Sequence, residues 1–242
     1  MSINKIQKGS GQGLEYEFKF LNIDVIKTRK LIKKMGGKLV HKRMKYIRKI
    51  FHRCNEPNVK GFARVRREDG NVTMTVKTYA NPDFPLETEI VLAKDQTFED
   101  GVEFMRALAL KEKAHQESYR EKWNFPNMPD VHEVTFDELP GLPVYTEVDC
   151  KTKEALEKVI KMLKLNEENK RSGSYAKTYN EYYNFPAYVL NNHMPSITFA
   201  NIEKEVRAAL RFANKDRKTG QKRYVNKQKA LLKEIALKQK NY

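Results

Sequence analysis

The stretch Glu15-Tyr16-Glu17-Phe18-Lys19-Phe20 alternates charged and aromatic residues with a period of two. Side chains along a β-strand point to opposite faces in turn, so this stretch predicts a strand with one charged and one aromatic face. Taken alone, such a strand is typical of a sheet whose charged face lies in water and whose aromatic face lies in the core. The remaining strands decide whether the charged face instead points inward.

The same alternation recurs along the chain, and the charges on each polar face are sorted by sign. In chain order, the polar faces carry Glu15, Glu17 and Lys19; Arg64 and Arg66; Lys77; Glu87 and Glu89; Arg120 and Lys122; Glu133 and Asp137; and Glu147 and Asp149. Like charges on one strand face repel unless ligands or opposite charges neutralise them. Turned into a barrel lumen, these faces would be costly to bury, which is typical of a functional site. Bases would balance an anion, and carboxylates would hold divalent cations.

Composition bounds the size of the protein and the kind of partner it attracts. The chain has 242 residues, of which 40% are hydrophobic and 32% charged, with a formal net charge of +16. This length predicts one domain with an appendage, or at most two domains. The positive charge indicates attraction to nucleotides, polyphosphate, RNA or an anionic membrane surface, and it does not choose among them.

The cysteine and hydropathy patterns favour a reduced, cytoplasmic protein. The two cysteines, Cys54 and Cys150, form neither a disulfide framework nor the spacing of a metal site. No segment reaches the roughly 18 consecutive apolar residues of a membrane span. Residues 1–13 are polar and contain glycine, unlike a signal peptide, and we expect a disordered lead-in there.

Three helix starts can be read in residues 14–185, and residues 186–242 differ from them in charge. Asp24, Thr97 and Thr152 are typical N-cap residues. Residues 201–242 hold 13 Lys or Arg against 4 Asp or Glu and predict two amphipathic helices. This basic helical extension could pack on the body, bind an RNA backbone through residues 201–242, or lie on a membrane.

The ordered motifs of residues 14–185 resemble the CYTH, or triphosphate tunnel metalloenzyme, family. Glu15-x-Glu17-x-Lys19 is similar to the opening signature of that family. The Arg-x-Arg, Lys, Glu-x-Glu, Arg-x-Lys and Glu-x-Asp segments then follow in the family's order, with the Phe136-Asp137-Glu138-Leu139-Pro140-Gly141-Leu142 turn and Ser174-Tyr175. The resemblance implies an α+β fold in which helices surround a closed eight-stranded antiparallel β-barrel whose lumen binds a triphosphate.

The resemblance also implies roles for the charged residues. Mg²⁺ or Mn²⁺ would be held by Glu15, Glu17, Glu147 and Asp149. Phosphate oxygens would be bound by Lys19, Arg64, Arg66, Lys77, Arg120 and Lys122. The supporting acids would be Glu87, Glu89 and Asp137, and the catalytic set would be Glu15, Glu17, Lys19 and Lys122.

One pair departs from the family pattern. Arg120-x-Lys122 stands where the family usually has Lys-x-Arg, and that lysine is thought to act as general base in some hydrolytic members. Arginine does not deprotonate at working pH. Either Lys122 or a water held by the metal takes that role, or the step differs.

Three functions remain open at this point. The leading one is a metal-dependent hydrolase that removes the terminal phosphate of tripolyphosphate, a nucleoside triphosphate or an RNA 5′-triphosphate end. The second is a class IV-like adenylyl cyclase that makes cyclic AMP from ATP with the same residues. The third is a non-catalytic module that binds polyphosphate or RNA, against which the acidic pairs argue, because a pure anion binder gains nothing from carboxylates beside its ligand.

Overall fold

The computed structural model of the chain describes residues 16–52, 61–68, 70–79, 86–172, 175–184, 189–190, 193–214 and 221–240, which form a mixed α+β fold. The strands are β1 (Tyr16–Phe20), β2 (Lys38–His52), β3 (Gly61–Glu68), β4 (Asn71–Thr78), β5 (Leu86–Val91), β6 (Glu112–Asn124), β7 (Val131–Glu138), β8 (Tyr145–Cys150), β9 (Lys170–Arg171) and β10 (Ser196–Ile197). The helices are α1 (Val25–Lys34), α2 (Phe98–Ala107), α3 (Lys153–Leu163), α4 (Tyr175–Tyr183), α5 (Ile202–Asn214) and α6 (Gln221–Lys240).

The strands form one large, curved sheet. Its order is β5-β4-β3-β2-β6-β7-β8-β1-β9, with antiparallel neighbours throughout, and β10 pairs with β6 in parallel. The curvature is visible at Tyr79, just after β4: burial raises its pKa, and the rise is opposed both by Lys77 of β4 and by Lys19 of β1, six strands further along the sheet. The curve therefore gives the sheet a concave face on which residues of non-adjacent strands meet.

The predicted closure into an eight-stranded barrel is not confirmed. The sheet has ten strands, and within the described residues no ladder joins its two outer strands, β5 and β9. The β9 strand is only two residues long and already pairs with β1. So short a strand offers too few backbone groups for a closing ladder.

The register places charged positions of neighbouring strands side by side on the concave face. Glu17 lies opposite Asp149 and Lys19 opposite Glu147 in the β1–β8 ladder. The same holds for Lys77 opposite Glu87 in the β4–β5 ladder. The period-two alternation in the sequence therefore predicted correctly which side chains of these strands share a face.

Helices cover the convex face of the sheet. Phe20 packs there in a buried cluster with Ile32 of α1 and Leu156 of α3. The three predicted helix starts are confirmed. At the starts of α1, α2 and α3, hydrogen bonds from backbone N–H groups are accepted by the side chains of Asp24, Thr97 and Thr152. Cys150 is a buried free thiol, and Cys54 lies outside the described residues.

The C-terminal helices pack on the body. Leu210 of α5 and Leu232 of α6 share a buried cluster with Leu142 and Tyr145, which flank the start of β8. The Gln239 side-chain amide donates to the Leu142 carbonyl at 2.9 Å and equally to that of Leu139. Packing on the body was one of the three interpretations that the sequence left open for this extension. Among the helices described, none is long and apolar enough to cross a membrane.

Candidate functional site

One side of the concave face carries a group of cations from three adjacent strands. We call it the basic wall, and its members are Arg48, Arg64, Arg66 and Lys77. Arg48 of β2 lies directly opposite Arg66 of β3. Since alternate residues of a strand share a face, Arg64 belongs to the same surface.

Acids from β3 and β5 neutralise part of the basic wall. An Arg64 terminal nitrogen lies 3.2 Å from Glu87 Oε1 and 3.4 Å from Glu89 Oε2. Lys77 Nζ lies 2.5 Å from Glu87 Oε2. Arg66 contacts Glu68 through Nε at 2.5 Å, in a geometry that does not form a hydrogen bond. Thr75 accepts a hydrogen bond from Arg64 and donates one to Glu89.

The neutralisation of the basic wall is incomplete. The Nε atoms of Arg48, Arg64 and Arg66 are buried, and none has a hydrogen-bond partner within the described residues. Burial, together with the positive charge of Arg66, lowers the pKa of the Arg64 guanidinium to about 10. Within the same residues Arg48 forms no ion pair with a carboxylate, and its guanidinium lies 5.1 Å from the centre of the Tyr175 ring. An anion at this surface would relieve both the repulsion and the unmet donors.

The opposite side of the concave face is rich in carboxylates. We call it the acidic wall, and its members are Glu17, Glu133, Asp137, Glu147 and Asp149. Three cations lie among them: Lys19, Arg120 and Lys122.

Arg120 is the centre of the ion pairs in the acidic wall. Its guanidinium contacts Asp137 at 2.6 Å, Glu133 at 3.2 Å and Glu147 at 2.5 Å. Lys122 pairs with Glu133 as well. Burial by itself lowers the pKa of Arg120, but Asp137 and Glu147 raise it well above its ordinary value. Arg120 therefore stays protonated and cannot act as a base.

Lys19 is held in a similar way. Its ammonium lies 2.8 Å from Glu17 Oε1 and 3.1 Å from Glu147 Oε1. Burial lowers its pKa, but the two carboxylates more than offset this, so that the pKa of Lys19 is raised above its ordinary value. Lys19 therefore stays protonated and lies between two acids.

The acidic wall has donors of the right chemistry for a divalent cation. Carboxylate oxygens are the ligands that Mg²⁺ and Mn²⁺ prefer. Glu17, Glu147 and Asp149 supply them on adjacent strands. In this structure the positive charge between Glu17 and Glu147 is the Lys19 ammonium, which lies where a metal cation would contact both carboxylates. No group of three or more His, Cys, Asp or Glu in the described part of the chain is disposed to hold a metal ion. The residue types fit a metal, and metal binding would require Lys19 to move.

One tyrosine, Tyr46, lies between the two walls. Arg66 and Arg120, one from each side, both lie 5.9 Å from the centre of the Tyr46 ring. The Tyr46 hydroxyl is hydrogen-bonded to the ring of His41 at 2.8 Å. Burial raises the pKa of Tyr46, so it remains a neutral phenol. It thus separates the two charged surfaces without adding a charge.

Most of the charged residues on the concave face were predicted from the sequence, but not all of them. Glu15 and Ser174 lie outside the described residues, whereas the other predicted site residues lie on the concave face. The supporting acids Glu87, Glu89 and Asp137 all form ion pairs there. Arg48 and Glu133 had no assigned role. A usable signal was present for Arg48, because it lies two residues from Tyr46 and from Ile50 on one strand face.

A family model, described as the CYTH domain, matches residues 13–186 of the chain. A search of the curated proteins found no match. Among solved structures, the chain is similar to the PH1012 protein of Pyrococcus horikoshii OT3, with 18% identity, a TM-score of 0.53, and coverage of 66% of this chain and 96% of that one. The PH1819 protein of the same organism gives 22% identity, a TM-score of 0.50, and coverage of 69% and 98%.

A third similar structure is an adenylate cyclase candidate from Vibrio parahaemolyticus, at 13% identity and a TM-score of 0.55. The match covers 68% of this chain and 97% of that one. At these identities the likeness to solved structures establishes a shared fold and nothing about the reaction.

Proposed function

Because the chain belongs to the CYTH domain family, we propose that its concave face binds a triphosphate and, with Mg²⁺ or Mn²⁺, hydrolyses the terminal phosphate. One observation carries this proposal. Two buried arginine Nε groups, those of Arg48 and Arg64, have no hydrogen-bond acceptor within the described residues, and they lie across the same concave face from the acidic wall. A site for an anion together with a cation has this distribution of charge.

The basic wall would hold the phosphate chain. A guanidinium donates two parallel hydrogen bonds to phosphate oxygens, which suits Arg48, Arg64 and Arg66 to this role. The negative charge would raise the lowered pKa of Arg64 and supply acceptors for the Nε groups. Lys77 would add a further contact if its ammonium exchanged Glu87 for a phosphate oxygen.

The acidic wall would hold the metal through Glu17, Glu147 and Asp149, with Glu15 completing the set. A bound Mg²⁺ or Mn²⁺ would neutralise phosphate charge and lower the pKa of an attacking water. The Lys19 ammonium, displaced from Glu17 and Glu147, would become available to a phosphate oxygen. Arg120 would keep Asp137 and Glu147 in place through its ion pairs.

The charges around each candidate base limit which group can accept the proton of the attacking water. Arg120 and Lys19 have raised pKa values and stay protonated. Burial raises the pKa of Glu133, but Arg120 and Lys122 lower it overall, so that this carboxylate is ionised at neutral pH. The candidates that remain are an ionised carboxylate of the acidic wall, a water held by the metal, and Lys122 if it is released from its ion pair with Glu133.

A product assay tests this function. The purified protein is incubated with Mg²⁺ or Mn²⁺ and, separately, with tripolyphosphate, ATP and a 5′-triphosphorylated RNA, with a chelator in the control. We expect orthophosphate release from at least one of them, only when the metal is present. Cyclic AMP with pyrophosphate would instead identify a cyclase, and binding of all three without any product would leave a non-catalytic module.

A further inference from the structure

A groove of about 570 Å³ lies on the convex face of the sheet, away from the two walls. It runs between α1 and the first residues of β2. Residues from both elements and from β6 line it, and the cations among them are Arg29, Lys33, Lys38, Lys42 and Arg43. Trp123 and Glu121 of β6 also line the groove. We call it the outer groove.

A β-bulge brings two of these cations to the groove. His41 pairs with Lys122, and Met44 pairs with Arg120. Lys42 and Arg43 therefore stand together opposite the single residue Glu121. Such a bulge bends the strand and redirects its side chains, and bulges are frequent beside functional sites.

The acids near the outer groove are already neutralised by its two arginines. Arg29 makes a bidentate ion pair with Glu121, at 2.9 and 3.0 Å. Arg43 pairs with the buried Glu138, and its guanidinium also stacks on Tyr119. These pairs fix the arginines and leave little negative charge for other cations.

The lysines of the outer groove, in contrast, have no acid to balance them. Lys33, Lys38 and Lys42 form no ion pair within the described residues. The sequence holds no Asp or Glu at all between Asp24 and Glu56. Three exposed lysines thus line one open groove whose surroundings are also positive.

We propose that the outer groove binds the phosphate backbone of a nucleic acid strand. Closely spaced lysines suit a chain of phosphates, because each neutralised phosphate releases condensed counterions. The groove is open to solvent, so an extended strand can pass along it. An anionic membrane fits less well, since an interfacial helix needs a broad apolar face and the exposed residues of α1 are mainly lysines.

Binding of a 5′-hydroxyl RNA oligonucleotide, measured by fluorescence anisotropy over a salt series, tests this proposal. Such an RNA has no triphosphate, so the result does not depend on the function proposed for the concave face. The test variant combines Lys33→Ala, Lys38→Ala and Lys42→Ala. The matched control combines Lys151→Ala, Lys158→Ala and Lys161→Ala, three exposed lysines in or beside α3 that lose the same charge.

We expect the test variant to bind the RNA about tenfold more weakly than the control at moderate salt. The slope of log K against log salt should fall by about 2, which is ~0.7 for each of three lost contacts. A single-stranded DNA of the same sequence should weaken in parallel, because the backbone phosphates are shared. Unchanged affinity and slope in the test variant, or equal losses in both variants, would overturn the proposal. Binding to anionic lipid vesicles is measured in parallel. If the test variant lost affinity for the vesicles and kept its affinity for the RNA, the proposal would also be overturned.

Discussion

The basic wall and the acidic wall lie on one concave face, yet they neutralise their charges to different degrees. Arg120, among the carboxylates, contacts three acids, and its pKa is raised. Arg64, among other arginines, has a pKa lowered to about 10. Desolvation lowers the pKa of both guanidiniums, so the opposite outcomes come from their neighbours. One side of the concave face is therefore suited to an anion and the other to a cation.

Strand register produces this difference. In the β2–β3 ladder Arg48 faces Arg66, so like charges meet. In the β6–β7 ladder Arg120 faces Asp137, so opposite charges meet. A shift of one residue in either ladder would turn these side chains to the convex face. The site therefore depends on pairing as much as on residue type.

The largest expected effect comes from Glu147→Gln in the acidic wall. This change removes the carboxylate that Lys19 and Arg120 share and one proposed metal ligand. We expect metal-dependent release of orthophosphate to fall by at least about 100-fold, the scale for losing one preorganised electrostatic contact. Steady-state kinetics over a range of Mn²⁺ concentrations measures the fall.

The matched control for that variant is Glu112→Gln. Glu112 lies at the start of β6 and pairs with Lys49 and Arg106, with its side chain about a third exposed. The turnover of the Glu112→Gln variant should stay near that of the wild type. Similar activity in Glu147→Gln and Glu112→Gln would remove Glu147 from the site.

A smaller effect is expected for Glu133→Gln, in the dependence of stability on pH. Glu133 has a lowered pKa in the folded protein, so its ionised form stabilises the fold above the ordinary carboxyl pKa of 4.5. This contribution should be lost as the pH falls below 4.5 and through the lowered value. We expect Glu133→Gln to lower the free energy of unfolding by about 1 to 3 kcal/mol at pH 7.

Urea unfolding at a series of pH values from 7 to 3 checks this expectation. The difference between the wild type and Glu133→Gln should shrink steadily at the acid end of the series. A difference that stays constant over the whole range would mean that the ion pairs of Glu133 with Arg120 and Lys122 contribute nothing to stability.

The sequence predicted the faces of the strands better than it predicted their partners. Alternation is a local property, so Glu17, Lys19, Arg64 and Arg66 could be assigned to one face from spacing alone. Closure of the sheet depends on contacts between distant segments, and the pattern of β1 contains no information about what pairs with its other edge. The two-residue β9 fills that place.

The candidate site was predictable to the same extent. Residue type and spacing gave the acids and bases, but not the ion pairs that link them. That Lys19 lies between Glu17 and Glu147 follows from the β1–β8 register. Arg48 shares a strand face with Tyr46 and Ile50, but this signal is weakened because β2 also has basic residues on its other face, among them Lys45 and Lys49.

A triphosphate site on the concave face can be tested by calorimetric titration of tripolyphosphate into the wild type, Arg66→Gln and Arg67→Gln. These neighbouring arginines of β3 point to opposite faces; Arg66 belongs to the basic wall, and Arg67 is exposed on the other side. Each substitution removes one positive charge. We expect Arg66→Gln to weaken binding at least about tenfold, as for loss of a charged hydrogen-bond partner, and Arg67→Gln to stay within about twofold of the wild type. Equal affinities in Arg66→Gln and Arg67→Gln would contradict a triphosphate site on the concave face.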